Sequence, residues 1–470
     1  MIDYQKLNFK CGLEIHQQLN TNKLFCDCPS LVNDGAEPDI FFSRKLRAVA
    51  GESGMIDNAA KFESKKNRIF KYEACSSSAC LVELDEEPPH MVNRHAVEVV
   101  VQVAKLFKAV LVDEVQFMRK TVIDGSNVSG FQRTALIAYN GMLDTSKGPV
   151  KIDSICLEEE SAKKIKVKDD TVTYRIDRLG VPLIEIATDA SIKDPAHCKE
   201  VAYLIGMFLR STGRVRRGIG SIRQDVNLSI QSSSRVELKG FQDIRIIEGV
   251  IETEVKRLQA VKEHKPEVRK VNTDSSTKFL RPMPGASRMY PETDIPTFSF
   301  SKSFINAISI PELITEKAAR LEQDFNLGSD LSRELVEHEG HFATYLKQFP
   351  NLEPLLIART MIEMPKEIKK RFQIKPLHGH IEYVLDLVNQ GKIQAGNIFN
   401  TLLLKAQGKT VDLSKFTPVD EDEVREFITV FFQKNPDSRP NVVMGEVMKN
   451  FSGRIDGKRA MELVMEAGKQ

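Results

Sequence analysis

The stretch RLGVPLIEIAT, Arg178 to Thr188, decides how the first half of the chain is read. Val181, Leu183 and Glu185 alternate with Pro182, Ile184 and Ile186, so a carboxylate stands in a strand that is apolar on both sides. A strand of that kind is buried, and a carboxylate is expensive to bury unless a cation sits beside it. Four further segments interrupt apolar runs with charge in the same way. They are GLEIH (Gly12 to His16), CLEEESAK (Cys156 to Lys163), SIRQDVNLSI (Ser221 to Ile230) and RVELKGFQD (Arg235 to Asp243). Alternation puts Glu14 with His16, Asp225 with Asn227, and Glu237 with Lys239, each pair on one face of its strand. Several carboxylates and one histidine suit a hard divalent ion, Mg²⁺ before others. Ion pairs with Arg178, Arg223, Arg235 and Lys239 would satisfy the same carboxylates, and spacing alone leaves both arrangements open.

Outward from these segments, residues 1–300 mix short alternating runs with helical stretches punctuated by Gly, Pro and Asn. Val99, Val103, Leu106 and Phe107 make an apolar stripe that predicts a helix from about Arg94 through Leu111. A second helix is expected from Ala196 to Arg210, after the stop signal DPA. No regular strand–helix–strand rhythm runs through the segment, so the fold class is α+β with a mixed or antiparallel sheet. Beyond Pro296 the character changes, and from Pro311 onward the pattern is nearly all helical. Leu327–Gly328–Ser329 reads as a stop followed by an N-cap at Ser329, and Pro350 and Pro354 each open a further helix. The polar stretch GKTVDLSKFTP separates a last helical unit. Three domains are expected, at 1–300, 301–418 and 419–470.

The chain has 470 residues, with 67 basic and 65 acidic side chains for a net charge of +2. A nucleic-acid partner would therefore be held by local basic patches and not by a globally cationic surface. Seven cysteines, an odd number, point to a reducing cytosol. The opening MIDYQKLNFK has no apolar core for export, and no stretch approaches the roughly 20 apolar residues of a membrane span. Cys26, Cys28, Cys75 and Cys80 together could hold a structural zinc, although C-x-C and C-x₄-C differ from the usual spacings. Cys11, Cys156 and Cys198 read as small buried apolar residues. The loop VIDGSNVSGFQRT (Val122 to Thr134) carries Gly125, Ser126, Asn127, Ser129 and Gly130. Such residues let backbone N–H groups approach phosphate, and they equally make an ordinary hairpin turn.

Taken with LNFKCGLEIHQQLNTNKLFCDCPS, CLVELDEEPPH, MRKTVIDGSNVSGFQRT and FLRPMPGASRMYPETDIP, these segments resemble the B/E family of tRNA-dependent amidotransferases, the E branch more closely than the B branch. The resemblance runs along essentially the whole chain. It implies a catalytic cradle, a helical domain and a small tail domain. It also implies the conversion of misacylated Glu-tRNA(Gln) to Gln-tRNA(Gln), a carbon–nitrogen ligase reaction. ATP phosphorylates the glutamyl γ-carboxylate, and ammonia then displaces the phosphate. His16, Glu159 and Glu185 match the family's tightly held Mg²⁺ ligands, with Glu158 the neighbouring alternative to Glu159. Glu14, Asp225 and Glu237 match a second metal position that accompanies ATP. Ser126, Asn127, Gln132 and Arg133 become nucleotide contacts, and Arg288, before Arg281, becomes the arginine facing the transferred phosphoryl group.

The resemblance also names partners. No amidase or asparaginase signature is visible, so ammonia is expected from an asparaginase-like partner, GatD, in a heterodimer or a dimer of heterodimers. For tRNA the candidates are Arg214, Arg216 and Arg217, with Lys449, Arg454, Lys458 and Arg459 in the tail. A solvated charged face is the alternative for the tail set, because Glu446 and Asp456 interleave it. The family's insertion resembling one in aspartyl-tRNA synthetases is replaced by a short stretch, about Lys265 to Ser276. Two other readings stay open: a B-type protein working with an amidase partner, and a tRNA-binding protein without catalysis.

Overall fold

The structure, a computed structural model, describes residues 2–31, 35–50, 54–231, 233–261, 265–272, 274–285, 288–413, 419–436, 438–451 and 454–468. The chain forms two compact units, Met1–Leu313 and Ile314–Gln470. The first is built on a wide sheet. From one edge its strands run Thr277–Pro282, Glu267–Val271, Val236–Phe241, Ile222–Ser229, Lys10–Gln18, Pro182–Thr188, Val150–Glu159, Phe131–Leu143, Met118–Thr121 and Met289–Tyr290. Every neighbouring pair along this path is antiparallel except Val236–Phe241 with Glu267–Val271, which run parallel. The architecture is α+β with a mixed sheet, followed by an all-helical region. A smaller mixed sheet of Ile40–Arg44, Ile69–Ala74, Thr171–Arg175 and Lys163–Lys168 has its own core around Phe70, Tyr72, Val172 and Tyr174.

One face of the wide sheet is apolar. Leu13, Ile15, Ile184, Ile186, Val226, Leu228 and Leu238 share a core with Val99, Val103, Val201, Ile205, Val250 and Val255 of the helices Arg94–Leu106, Pro195–Ser211 and Ile247–Ala260. Asn93 and Asp194 cap the first two helices by accepting from backbone N–H groups of the first turn. The helix expected to reach Leu111 stops at Leu106. Lys108 takes φ +53°, reversing the chain, and Val110–Leu111 leaves as a short strand against Ala138 and Tyr139.

In the second unit, helices between Ile314 and Ala406 close on Leu335, Phe342, Ile357, Leu385 and Leu402. Glu421–Lys434, Pro440–Phe451 and Gly457–Ala467 close separately on Val424, Ile428, Val447 and Leu463. Gly328, and not Ser329, occupies the cap of Ser329–Leu335. Pro354 opens a helix as expected, whereas Pro350 lies in the turn after Glu339–Gln348. Of the expected polar linker, residues 414–418 lie outside the described residues.

Candidate active site

The opposite face of the wide sheet carries the charge, and the cross-strand register explains why. Glu14 stands opposite both Asp225 and Ala187, and His16 opposite both Arg223 and Glu185. Leu183 is opposite Glu158, Glu158 opposite Thr134, and Gln132 opposite Lys120. On the other side, Asp225 is opposite Lys239 and Asn227 opposite Glu237. Residues directly opposite in an antiparallel pair share a face, so these side chains form one continuous polar band.

Within the band, His16 Nε2 lies 3.1 Å from Glu185 Oε2 and 3.3 Å from Glu14 Oε1. Glu14, His16 and Glu185 each offer one ligand atom within 4.8 Å of the others, and so do Glu14, Asp225 and Glu237. Glu14 thus belongs to both groups. His16 Nδ1 is buried with no hydrogen-bond partner in the structure. Carboxylate oxygens with one imidazole are the donor set of a hard divalent ion, so the residues fit Mg²⁺. Burial, and then the neighbouring Glu185, push the Glu14 carboxyl above its usual range. Burial works against ionisation of Glu185 too, but Lys120 and His16 outweigh it and hold this carboxyl well below the usual range. Lys239 and His16 likewise offset burial and hold Asp225 below its usual range, so Glu185 and Asp225 stay charged while the charge of Glu14 calls for a further cation.

Glu159 is not brought to this band. As the neighbour of Glu158 on an extended strand it points to the opposite face, where Arg133 donates to it through its backbone N–H at 2.9 Å and through Nη1 at 3.3 Å. Of the expected set of His16, Glu159 and Glu185, the structure brings His16 and Glu185 together, with Glu14 beside them and Glu159 on the other face. Glu158 does face the band, accepting from Lys120, from Gln132 at 3.1 Å and from Thr134 at 2.7 Å. The same alternation separates two expected nucleotide contacts. Gln132 lies on the band, whereas Arg133 faces away and its Nη2 donates to Asp294 Oδ2 at 2.7 Å.

Asp124 organises the glycine loop by accepting from Ser126 N at 3.0 Å and Ser126 Oγ at 2.6 Å. Asn127 accepts from Ser161 Oγ at 3.1 Å and leaves its Nδ2 buried without a partner. Gly125, at φ +89°, sits so close to the Phe70 ring that a Cβ there would lie 2.2 Å from it. Arg288 is fixed through Nε on the Thr121 carbonyl at 3.2 Å, near enough to Glu158 and Glu237 to feel their charge. Arg281 has a buried Nε without a partner. Cys156 lies opposite Glu185 on the band and is half-buried, unlike the fully buried Cys11 and Cys198.

Cys26, Cys28 and Cys80 converge, with Glu83 as fourth member. Cys75 is turned away: its Sγ accepts from Arg175 Nη2 at 3.0 Å, and its N–H donates to Asp177. Sequence spacing of cysteines could not reveal a carboxylate in their company.

The expected tRNA residues are placed unevenly. Arg214 donates to Glu98 at 3.4 Å, and Arg216 donates to the Ser30 carbonyl. Arg217 is exposed. In the tail, Arg459 is engaged by Glu421 at 2.7 Å and Glu462 at 3.0 Å. Lys449 reaches Glu446 at 3.4 Å and Arg454 reaches Glu423 at 4.0 Å, while the N–H of Lys458 donates to Asp456. Among the described residues, no helix is long and apolar enough to cross a membrane.

The strands that carry this band lie within a segment that matches a known family. The chain belongs to the GatB/GatE family, whose catalytic-domain pattern matches residues 9–306. It is similar to the E-type subunits of glutamyl-tRNA(Gln) amidotransferase from three archaea. With that of Methanocaldococcus jannaschii it is 32% identical over the full length of both chains. With that of Methanosarcina barkeri the identity is 34% over 97% of each. With that of Archaeoglobus fulgidus it is 32% over 99% of each.

Proposed function

We propose that this chain is the activating component of a tRNA-dependent amidotransferase that converts Glu-tRNA(Gln) to Gln-tRNA(Gln). The observation that carries the reading is the pair of ligand groups joined through Glu14 on one polar band. Phosphoryl transfer to a carboxylate needs neutralised phosphates and in-line positioning more than covalent help, which suits a surface of carboxylates, lysines and one arginine. Bound Mg²⁺ would neutralise the phosphates of ATP and align its terminal phosphorus with the glutamyl carboxylate. Glu14, His16 and Glu185 would hold one ion, and Glu14, Asp225 and Glu237 the other. Arg288, fixed on Thr121, presents its guanidinium toward the transferred group. The γ-carboxylate oxygen attacks the terminal phosphorus and ADP leaves. Ammonia then attacks the acyl carbon, and phosphate departs with the oxygen that attacked.

The relatives' names favour an E-type protein over a B-type one, and hence an asparaginase-like partner as the source of ammonia. The alignment with the M. jannaschii protein runs over 629 positions against 470 residues here, so the relative carries stretches this chain lacks. That supports a tRNA choice made without the synthetase-like insertion. The test is ADP formation by the chain with its partner, with and without Glu-tRNA. Asp225→Asn and Glu237→Gln should abolish the tRNA-stimulated rate and leave tRNA affinity within about twofold, since these carboxylates work through metal. Parallel loss of rate and affinity would assign them a structural role.

A further inference from the structure

Each ligand group already contains a cation of the protein's own. Lys239 Nζ lies 2.6 Å from Asp225 Oδ2 and also bonds Glu237, two of the three members of the second group. Lys120 Nζ lies 3.3 Å from Glu185 Oε2, in the first group, and bonds Glu158 as well. These side chains are only 26% and 11% exposed. An ammonium and a divalent ion drawn to the same converging oxygens repel each other strongly in so poorly solvated a place. Entry of the ion therefore requires the lysine to leave.

The carboxylates have means of staying in place when it does. Gly240 N–H donates to Asp225 Oδ1 at 3.2 Å, from a backbone at φ +102°. His16 Nε2 lies 3.1 Å from Glu185 Oε2, a second contact on that carboxylate besides Lys120. Among the described residues, Glu237 has Lys239 as its sole side-chain partner and becomes available once the lysine goes.

We propose that Lys239 and Lys120 are resident counter-cations that hold the two ligand groups together until divalent ions displace them, whereupon the released ammonium groups turn to the phosphates of the nucleotide. The inference rests on the reading of the band as a metal-and-nucleotide site. It makes metal uptake a cation exchange. It also makes metal and nucleotide promote each other's binding, because phosphate receives the displaced lysines.

The test is Mn²⁺ binding to the full chain, followed by loss of the free-ion paramagnetic resonance signal, with thermal unfolding measured in parallel. Without nucleotide, Lys239→Met should bind one Mn²⁺ about tenfold more tightly than wild type. It should melt at a lower temperature in the absence of metal and lose the tightening of Mn²⁺ binding that ATP causes in wild type. Lys120→Met should do the same for the other ion. Lys239→Gln, which keeps hydrogen bonds to both carboxylates, serves if the methionine variant does not fold, with the same expectation. Affinity that is unchanged or weaker in these variants overturns the inference. If wild type binds Mn²⁺ and Glu237→Gln releases it, the metal reading survives that failure. If wild type takes up none, the metal reading falls as well.

Discussion

Glu158 and Glu159 are neighbours in the chain and do unrelated work. Glu158 faces the polar band with Lys120, Gln132 and Thr134, while Glu159 faces Arg133 behind the sheet. Burial raises the Glu159 carboxyl above its usual range even with Arg133 beside it, the mark of a pair drawn well out of water. Glu159→Gln leaves Arg133 with Asp294 alone and weakens the charged hydrogen bonds to it, and about 1.5 kcal/mol of stability should go with it by urea unfolding. Glu158→Gln should cost less and instead lower Mn²⁺ affinity through Lys120; equal effects of the two variants would contradict the assignment. The sequence shows three consecutive glutamates, Glu158 to Glu160, and alternation says that neighbours among them diverge. Which of them shares the face that carries Glu185 depends on the register against Pro182–Thr188, a property of two strands and of neither alone. Lys120 is not legible in the sequence for a related reason, since it joins its cluster from a distant segment with no pattern of its own, while Glu83, three residues from Cys80, carries no spacing that marks it as a ligand.

At the scale of elements, the central strand Lys10–Gln18 tolerates no thickening at Gly12. A Cβ there would lie 2.7 Å from the Asp189 carbonyl oxygen and 3.3 Å from that of Thr188, both backbone atoms. Gly12→Ala should therefore destabilise the first unit by about 1–3 kcal/mol, read as a lower urea midpoint. In the second unit, the helices Glu339–Gln348 and His378–Asn389 meet through the stacked rings of His341 and His378, with centroids 4.2 Å apart. Burial, then His341, His338 and Lys375, hold His378 below its ordinary 6.5. The unfolded chain therefore takes up a proton more readily than the folded one. Stability should be unaffected above that value and fall as pH drops below it, until the folded histidine titrates as well. His378→Asn should flatten this part of the pH profile in thermal unfolding at low ionic strength; an unchanged profile would contradict the sign. The apolar stripes of the helices were legible from sequence, but their ends less so. Nothing in the stripe from Val99 to Leu111 shows that Lys108 adopts a left-handed backbone and sends Val110 into a strand.

For the whole molecule, the wide sheet carries the proposed site, and the three helices after residue 419 form a core of their own. Removing residues 419–470 should weaken tRNA binding and flatten its salt dependence, while ADP formation at saturating Glu-tRNA persists. An unchanged dissociation constant and salt slope would take the tail out of the tRNA site. Arg459, occupied by Glu421 and Glu462, should matter less there than Lys458. The α+β class, the helical second half and the acidic segments were all readable from the chain. Their convergence was not, because it arises from strands distant in sequence lying side by side: Lys10–Gln18 between Pro182–Thr188 and Ile222–Ser229. On the proposed function, this band lets ATP phosphorylate the glutamyl γ-carboxylate. That step is tested most directly with Glu-tRNA whose γ-carboxylate carries ¹⁸O, turned over by the chain and its partner with unlabelled ATP. With both γ-oxygens labelled, the inorganic phosphate released should contain one ¹⁸O per glutamine formed, and Glu14→Gln, which damages both ligand groups, should release none. Unlabelled phosphate accompanying normal glutamine formation would contradict it.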